Sequence, residues 1–287
     1  MNRRHLIPLG LAAPALLLFA QGNNDWDTPF PPHKVAGNVY YVGSQGLASY
    51  LVTTPQGHIL INSSFERTVP LIRKSVEGLG FKFTDIKILL TSHAHGDHAE
   101  GTALIKELTA AKIMVMQGDE GIIESGGQGD FQYTNKDWKP CKVDQVLKDG
   151  EQVKLGGATL TARHTPGHTR GCTTWTMKVR DQGKELLAVI VGSPNVNPGY
   201  QLVNNAKYPA IADDYAKSFQ IWKSLEADIF LGAHGNYYGM LEKVEKLKKG
   251  GAGNPFIDPD GYRSYIAERE QAYLATLAKQ KQAAGSK

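Results

Sequence analysis

The chain has 287 residues, of which 41% are hydrophobic and 21% charged, with no biased tract; this is the composition of a globular protein and excludes disorder for its bulk. The formal charge is only +4, and two of those charges are Arg3 and Arg4, too little to suggest a nucleic-acid partner.

Residues 1–20 read as an export signal, with Arg3 and Arg4 as the charged start, an apolar stretch from Leu6 to Phe19, and Ala20 as a small residue at the cleavage point. Arg3-Arg4-His5-Leu6-Ile7 also loosely fits a twin-arginine signal. The mature protein is therefore expected to begin near Gln21, in the periplasm or outside the cell, as a single domain over 21–287 without a membrane anchor. Residues 21–34 form an irregular arm carrying Trp26 and Phe30, which either borders a cleft or packs on the surface.

Short β-type runs follow at Val35–Val42, Ser49–Thr54 and His58–Asn62. Helical apolar spacing covers Val69 to Leu79, and Ile86–Leu90 is a buried-type strand. The alternation continues with a helix near Thr102–Thr109, a strand at Lys112–Met116 and a helix near Asp119–Glu124. Strands are then predicted at Glu151–Leu155, Thr159–His164, Thr173–Val179 and Leu186–Val191, a helix at Ala212–Leu225 and a strand at Ile229–Leu231. Two more helices, Leu241–Lys249 and Tyr262 to Ala278, precede a mobile tail at 280–287, and the lysines from Lys243 to Lys249 read as a solvated face. Two strand groups, each followed by helices, predict two packed sheets with helices outside.

The two cysteines, Cys141 and Cys172, are expected to pair as a disulfide in an oxidising compartment; the rival reading makes Cys172 a metal ligand.

The segment Thr91-Ser92-His93-Ala94-His95-Gly96-Asp97-His98 packs three imidazoles and a carboxylate into six residues just after a buried strand. Neutral imidazole and carboxylate are donors that Zn²⁺ prefers, and such a cluster would be costly in a dry core without an ion. His164-Thr165-Pro166-Gly167-His168-Thr169 adds two more histidines at a strand end, of which one faces the site and the other supports the strand; spacing does not choose. Leu231-Gly232-Ala233-His234-Gly235 places a third histidine cluster member after another apolar strand.

Together these pieces resemble the metallo-β-lactamase superfamily, with its HxHxDH motif, a distant His in a PGHT-type turn and a late His. The resemblance implies an α/β fold, an αββα sandwich of two mixed sheets, with two Zn²⁺ ions per chain. Carried over, His93, His95 and His168 hold the first zinc and Asp97, His98 and His234 the second, with His164 left in support. At Val191-Gly192-Ser193-Pro194 the chain lacks the bridging aspartate of thioester and phosphodiester hydrolases of this fold, and the cysteine of subclass 1 β-lactamases. It is most similar there to subclass 3 of the class B β-lactamases. That implies a periplasmic antibiotic-resistance hydrolase that opens the β-lactam amide bond with zinc-bound hydroxide and no acyl-enzyme. On this resemblance Ser193 binds the substrate carboxylate, Asn195 is a further substrate contact, Tyr200 lies near the developing oxyanion and Asp97 orients the nucleophile. A small β-lactam is then the partner, and a monomer is expected. The competing readings are a thioester hydrolase or lactonase on the same fold, and a zinc-binding protein without catalysis.

Overall fold

A computed structural model describes residues 24–134, 137–250 and 253–286. The predicted export signal lies outside them. A seven-stranded sheet runs in the order β1 (His33–Ala36), β2 (Val39–Tyr41), β3 (Tyr50–Thr54), β4 (Gly57–Ile61), β5 (Ile86–Leu90), β6 (Lys112–Met116) and β7 (Gln145–Leu147). The first four strands form an antiparallel meander and the last three add in parallel. The second sheet holds β8 (Gln152–Leu155), β9 (Ala158–His164), β10 (Thr173–Asp181), β11 (Lys184–Val191) and β12 (Ile229–Gly232), in the spatial order β12-β11-β10-β9-β8.

The apolar runs of the first sheet are continuous because both faces are covered. Tyr50, Val52, Ile59, Ile61, Ile88, Leu90, Met114 and Met116 point into the core between the sheets. Their neighbours Leu51, Leu60, Leu89, Ile113 and Val115 point the other way, under helices α1 (Val69–Gly78) and α3 (Thr102–Thr109). On the second sheet, Tyr215, Phe219 and Trp222 of α5 (Ile211–Ser224) and Tyr262, Ile266 and Tyr273 of the last helix fill the outer layer. The result is the expected αββα sandwich.

Several expectations need correction. The predicted strand Val35–Val42 is two strands, since Gly37 takes φ +50° and turns the chain. β7 was not foreseen; its three residues are too few for a period to register. The final helix runs from Pro259 to Gly285, so the tail is not loose up to that point: Gln280 accepts a 2.6 Å hydrogen bond from Leu202 N and donates one of 2.8 Å to the Tyr200 carbonyl. Within the lysine-rich helix Met240–Lys248, Lys243 is buried rather than solvated, and pairs with Asp258 at 2.8 Å. Asp258 also caps the final helix, accepting from Gly261 N.

The disulfide is overturned. Both cysteines are free and buried. Cys141 packs in the outer apolar core beneath α4 (Glu120–Glu124), whereas Cys172 sits at the foot of β10 with its Sγ toward the Ser193 carbonyl. Burial pushes the Cys172 thiol up to about 12, which removes its nucleophilicity. Alkylation without reductant should therefore add two labels per chain in denaturant and almost none to the native protein, as read by intact mass. A single mass lacking both labels in denaturant would restore the disulfide.

Among the described residues no helix is long and apolar enough to cross a membrane.

Candidate metal centre

Four strand ends, those of β5, β9, β11 and β12, deliver their following loops to one edge of the sandwich. This is where an α/β layer structure leaves backbone groups unpaired and side chains free to converge. After β5, His95 leaves the loop in extended backbone, and the short helix α2 (Gly96–Ala99) turns Asp97 and His98 inward. The loop is held from below: Asn62, in left-handed backbone at φ 67°, accepts from Ser92 N at 2.8 Å, and Ser63 N donates to the His98 carbonyl.

His93, His95 and His168 bring one ligand atom each to within 4.8 Å of one another, and so do His93, Asp97 and His98. His234 stands beside the second set. Asp97 Oδ2 lies 3.1 Å from His98 Nε2 and 3.4 Å from His234 Nε2, and those two nitrogens are 3.1 Å apart. Two ring nitrogens that close require a proton or a cation between them.

Electrostatics fit a metal. Burial first, then neighbouring imidazoles, holds His93 well below the usual histidine range; burial does the same for His168 and lowers His234. They are neutral bases with lone pairs available. His93 Nε2 is buried without a hydrogen-bond partner. Asp97 is the counterpart: burial works to raise it, but His98 and His234 outweigh this and keep its carboxyl well below the ordinary range. His168 is oriented by donating Nδ1–H to the Asn195 carbonyl at 2.8 Å, which leaves Nε2 for a metal. The residues present therefore fit zinc. His164, by contrast, donates from Nε2 to the Arg170 carbonyl at 2.7 Å and closes its own turn. Cys172 joins neither donor set.

The centre opens on a cleft of about 1210 Å³, walled by Trp26, Phe65, Tyr133, Trp138, Asn195 and Tyr237 among others. The arm thus borders the cleft at Trp26, whose ring lies 5.8 Å from His234, while Phe30 packs on Tyr41 behind it. Two expected substrate contacts are placed elsewhere. Ser193 is fully buried, its Oγ 3.1 Å from the Tyr237 hydroxyl. Tyr200 is buried too and its hydroxyl donates to the His168 carbonyl at 2.9 Å, which steadies that loop. Neither lines the cleft; Asn195 does.

Sequence reasoning missed Asp119, the first residue of a predicted helix. Its carboxylate does not cap α4. It accepts from Ala94 N (2.8 Å), Thr169 Oγ1 (2.7 Å) and Gly171 N (2.8 Å), tying the His93–His95 loop to the His168 loop. Gly171 must be glycine, since a Cβ there would stand 2.6 Å from the Asp119 Cβ. Burial pushes the Asp119 carboxyl up to about 6 against these three donors. Tyr133, edge-on to His95 at 5.0 Å, and Tyr237 were likewise not foreseen.

Comparison with known proteins agrees with this geometry. The family model described as "Metallo-beta-lactamase superfamily" matches residues 45–180. The native FEZ-1 metallo-β-lactamase of Legionella gormanii is 53% identical and superposes with a TM-score of 0.88 over 89% of this chain and 98% of its own. BJP-1, a subclass B3 metallo-β-lactamase of Bradyrhizobium japonicum, is 37% identical, with a TM-score of 0.85 over 91% and 98% of the two chains. A hydroxyacylglutathione hydrolase of Hyphomonas neptunium is 35% identical over 86 residues, 30% of this chain and only 27% of that protein's length. Near-complete coverage at more than half identity, on a fold whose strand ends gather these histidines, makes this chain a member of the subclass 3 (B3) metallo-β-lactamases, a family of zinc-binding hydrolases.

Proposed function

We propose that the chain is an exported β-lactamase that opens the amide bond of penicillins, cephalosporins and carbapenems, with two zinc ions held by His93, His95 and His168 and by Asp97, His98 and His234. The observation that carries this reading is the pairing of two adjoining donor sets with a β11 strand end that bears Ser193 instead of a carboxylate. Zinc at such a centre lowers the pKa of water toward neutrality and polarises a carbonyl.

The chain's own groups do the rest. Asp97, ionised by its histidine neighbours, accepts a hydrogen bond from the attacking water at Oδ and points its lone pair at the substrate carbonyl. Among the described residues no serine lines the cleft; Ser92, 3.2 Å from His93 Nδ1, is fully buried outside it. Trp26, Phe65 and Tyr133 give the cleft apolar walls against which a bicyclic ring packs and sheds water.

Purified protein in zinc-containing buffer should hydrolyse a carbapenem and a chromogenic cephalosporin, and turn over a glutathione thioester or an acyl-homoserine lactone far more slowly. Chelation should abolish the activity and added Zn²⁺ restore it, with two zinc ions per chain by elemental analysis. Efficient thioester cleavage without β-lactam turnover would transfer the assignment to the hydroxyacylglutathione hydrolase class.

A further inference from the structure

An imidazole can meet a metal through either ring nitrogen, and for His95 the surroundings of the ring make the choice. Its Nε2 lies 3.8 Å from Oδ2 of Asp130, with both side chains almost wholly buried. Asp130 itself belongs to neither donor set. Nδ1 is therefore the atom left to converge with His93 and His168, whose rings stand 4.9 and 4.7 Å from that of His95.

The fold holds Asp130 against the ring. Its other oxygen, Oδ1, accepts from Gln132 N at 2.8 Å and from Tyr133 N at 2.6 Å, closing a turn in the loop that follows α4. The next residue, Phe131, packs into the core against Tyr200 and Tyr208, with ring centroids 5.0 and 5.1 Å away. Tyr133, at the end of the turn, lies edge-on to His95, and its hydroxyl accepts from Asn197 Nδ2 at 2.9 Å. Oδ1 thus secures the cleft wall while Oδ2 faces a metal-binding histidine. A separation of 3.8 Å is too long for a finished hydrogen bond, but a shift of about 1 Å completes one, and such bonds tighten when a site is loaded. An ionised carboxylate only accepts, so the proton of that bond has to sit on Nε2, which leaves the lone pair on Nδ1.

We propose that Asp130 is a positioning residue that holds the His95 proton on Nε2 and so presents Nδ1 as the ligand atom for zinc. This inference rests on the zinc centre of the reading above, and on nothing about the substrate.

The test compares wild type, Asp130→Asn and Asp130→Ala, each carrying ¹⁵N-labelled histidine. Two-bond ¹⁵N–¹H spectra identify the protonated nitrogen of His95 in the metal-free protein and the metal-bound one in the zinc-loaded protein, with His95→Gln assigning the signals. Competition with a chromophoric chelator gives zinc affinity. Asparagine can keep its carbonyl on Gln132 N and Tyr133 N while turning an N–H donor toward His95, which favours the opposite tautomer. Wild type should show Nε2–H without metal and zinc on Nδ1 with it. Asp130→Asn should shift the metal-free proton toward Nδ1 and weaken zinc binding by about 10- to 100-fold, with denaturant unfolding of the metal-free protein little changed. Asp130→Ala should weaken zinc binding as well and also destabilise the fold, since the turn loses its acceptor. Zinc on Nε2 of wild-type His95 overturns the proposal even if neither variant folds. So does an Asp130→Asn protein with the wild-type proton position or the wild-type zinc affinity. Turnover enters none of these readouts: a protein that behaves as expected here and opens no β-lactam rejects the hydrolase assignment alone, whereas a wild type that binds no zinc rejects both.

Discussion

Asp97→Ala should lower kcat by at least about a hundredfold, the scale set by losing one preorganised electrostatic group, while KM changes much less. The argument is geometric. Asp97 Oδ2 stands 3.1 and 3.4 Å from the ring nitrogens of His98 and His234, which are themselves 3.1 Å apart. Removing the carboxylate takes away the negative charge that offsets a divalent cation beside the His98 and His234 rings. Zinc content should therefore fall from two ions per chain toward one, since His93, His95 and His168 are untouched. The water that Asp97 would orient loses its hydrogen-bond acceptor at the same time. Kinetics paired with elemental analysis decides the matter: an Asp97→Ala protein with full zinc and near-wild-type kcat removes Asp97 from the mechanism.

Asp119→Ala should be the most damaging change away from the cleft, although Asp119 touches neither metal donor set directly. Three buried donors, Ala94 N, Thr169 Oγ1 and Gly171 N, would lose their acceptor. At roughly 1–3 kcal/mol for each unsatisfied group, a loss of about 3–5 kcal/mol is expected after partial relaxation, a large fraction of the stability of a typical domain. Ala94 lies between His93 and His95, and Thr169 follows His168, so the same substitution loosens both loops that supply the first donor set. Zinc affinity should fall by about 10- to 100-fold, the usual consequence of losing a group that orients ligands. Denaturant unfolding of the metal-free protein isolates the first effect, and competition with a chromophoric chelator the second. Asp119→Asn keeps the shape and one accepting oxygen, so it should fall between wild type and alanine. Stability within 1 kcal/mol of wild type and unchanged zinc affinity would show that the two loops stand without the tie.

The local sequence by itself determined the layered fold and the donor chemistry. Apolar runs such as Ile86–Leu90 and Lys112–Met116 declare strands covered on both faces, and the HAHGDH segment declares a metal because no dry core tolerates so many titratable groups so close. Those signals are contiguous, so a linear reading captures them. The choice between His164 and His168 was decided only in three dimensions, where one ring closes its own turn and the other is aimed by the Asn195 carbonyl, 27 residues away. The same holds for the cysteines, which are free and packed against different neighbours, and for Lys243, which the approach of Asp258 withdraws from solvent. Tertiary packing also decides what each hydroxyl touches. Ser193 and Tyr200 carry hydroxyls at the positions that suggest substrate contact, but the sandwich turns both inward, onto Tyr237 and the His168 carbonyl. Asp119 and Tyr237 acquire their significance from strand ends that are distant in sequence and adjacent in space. A hydrogen bond is decided within a few tenths of an ångström, whereas a residue pattern fixes only which face of an element is apolar.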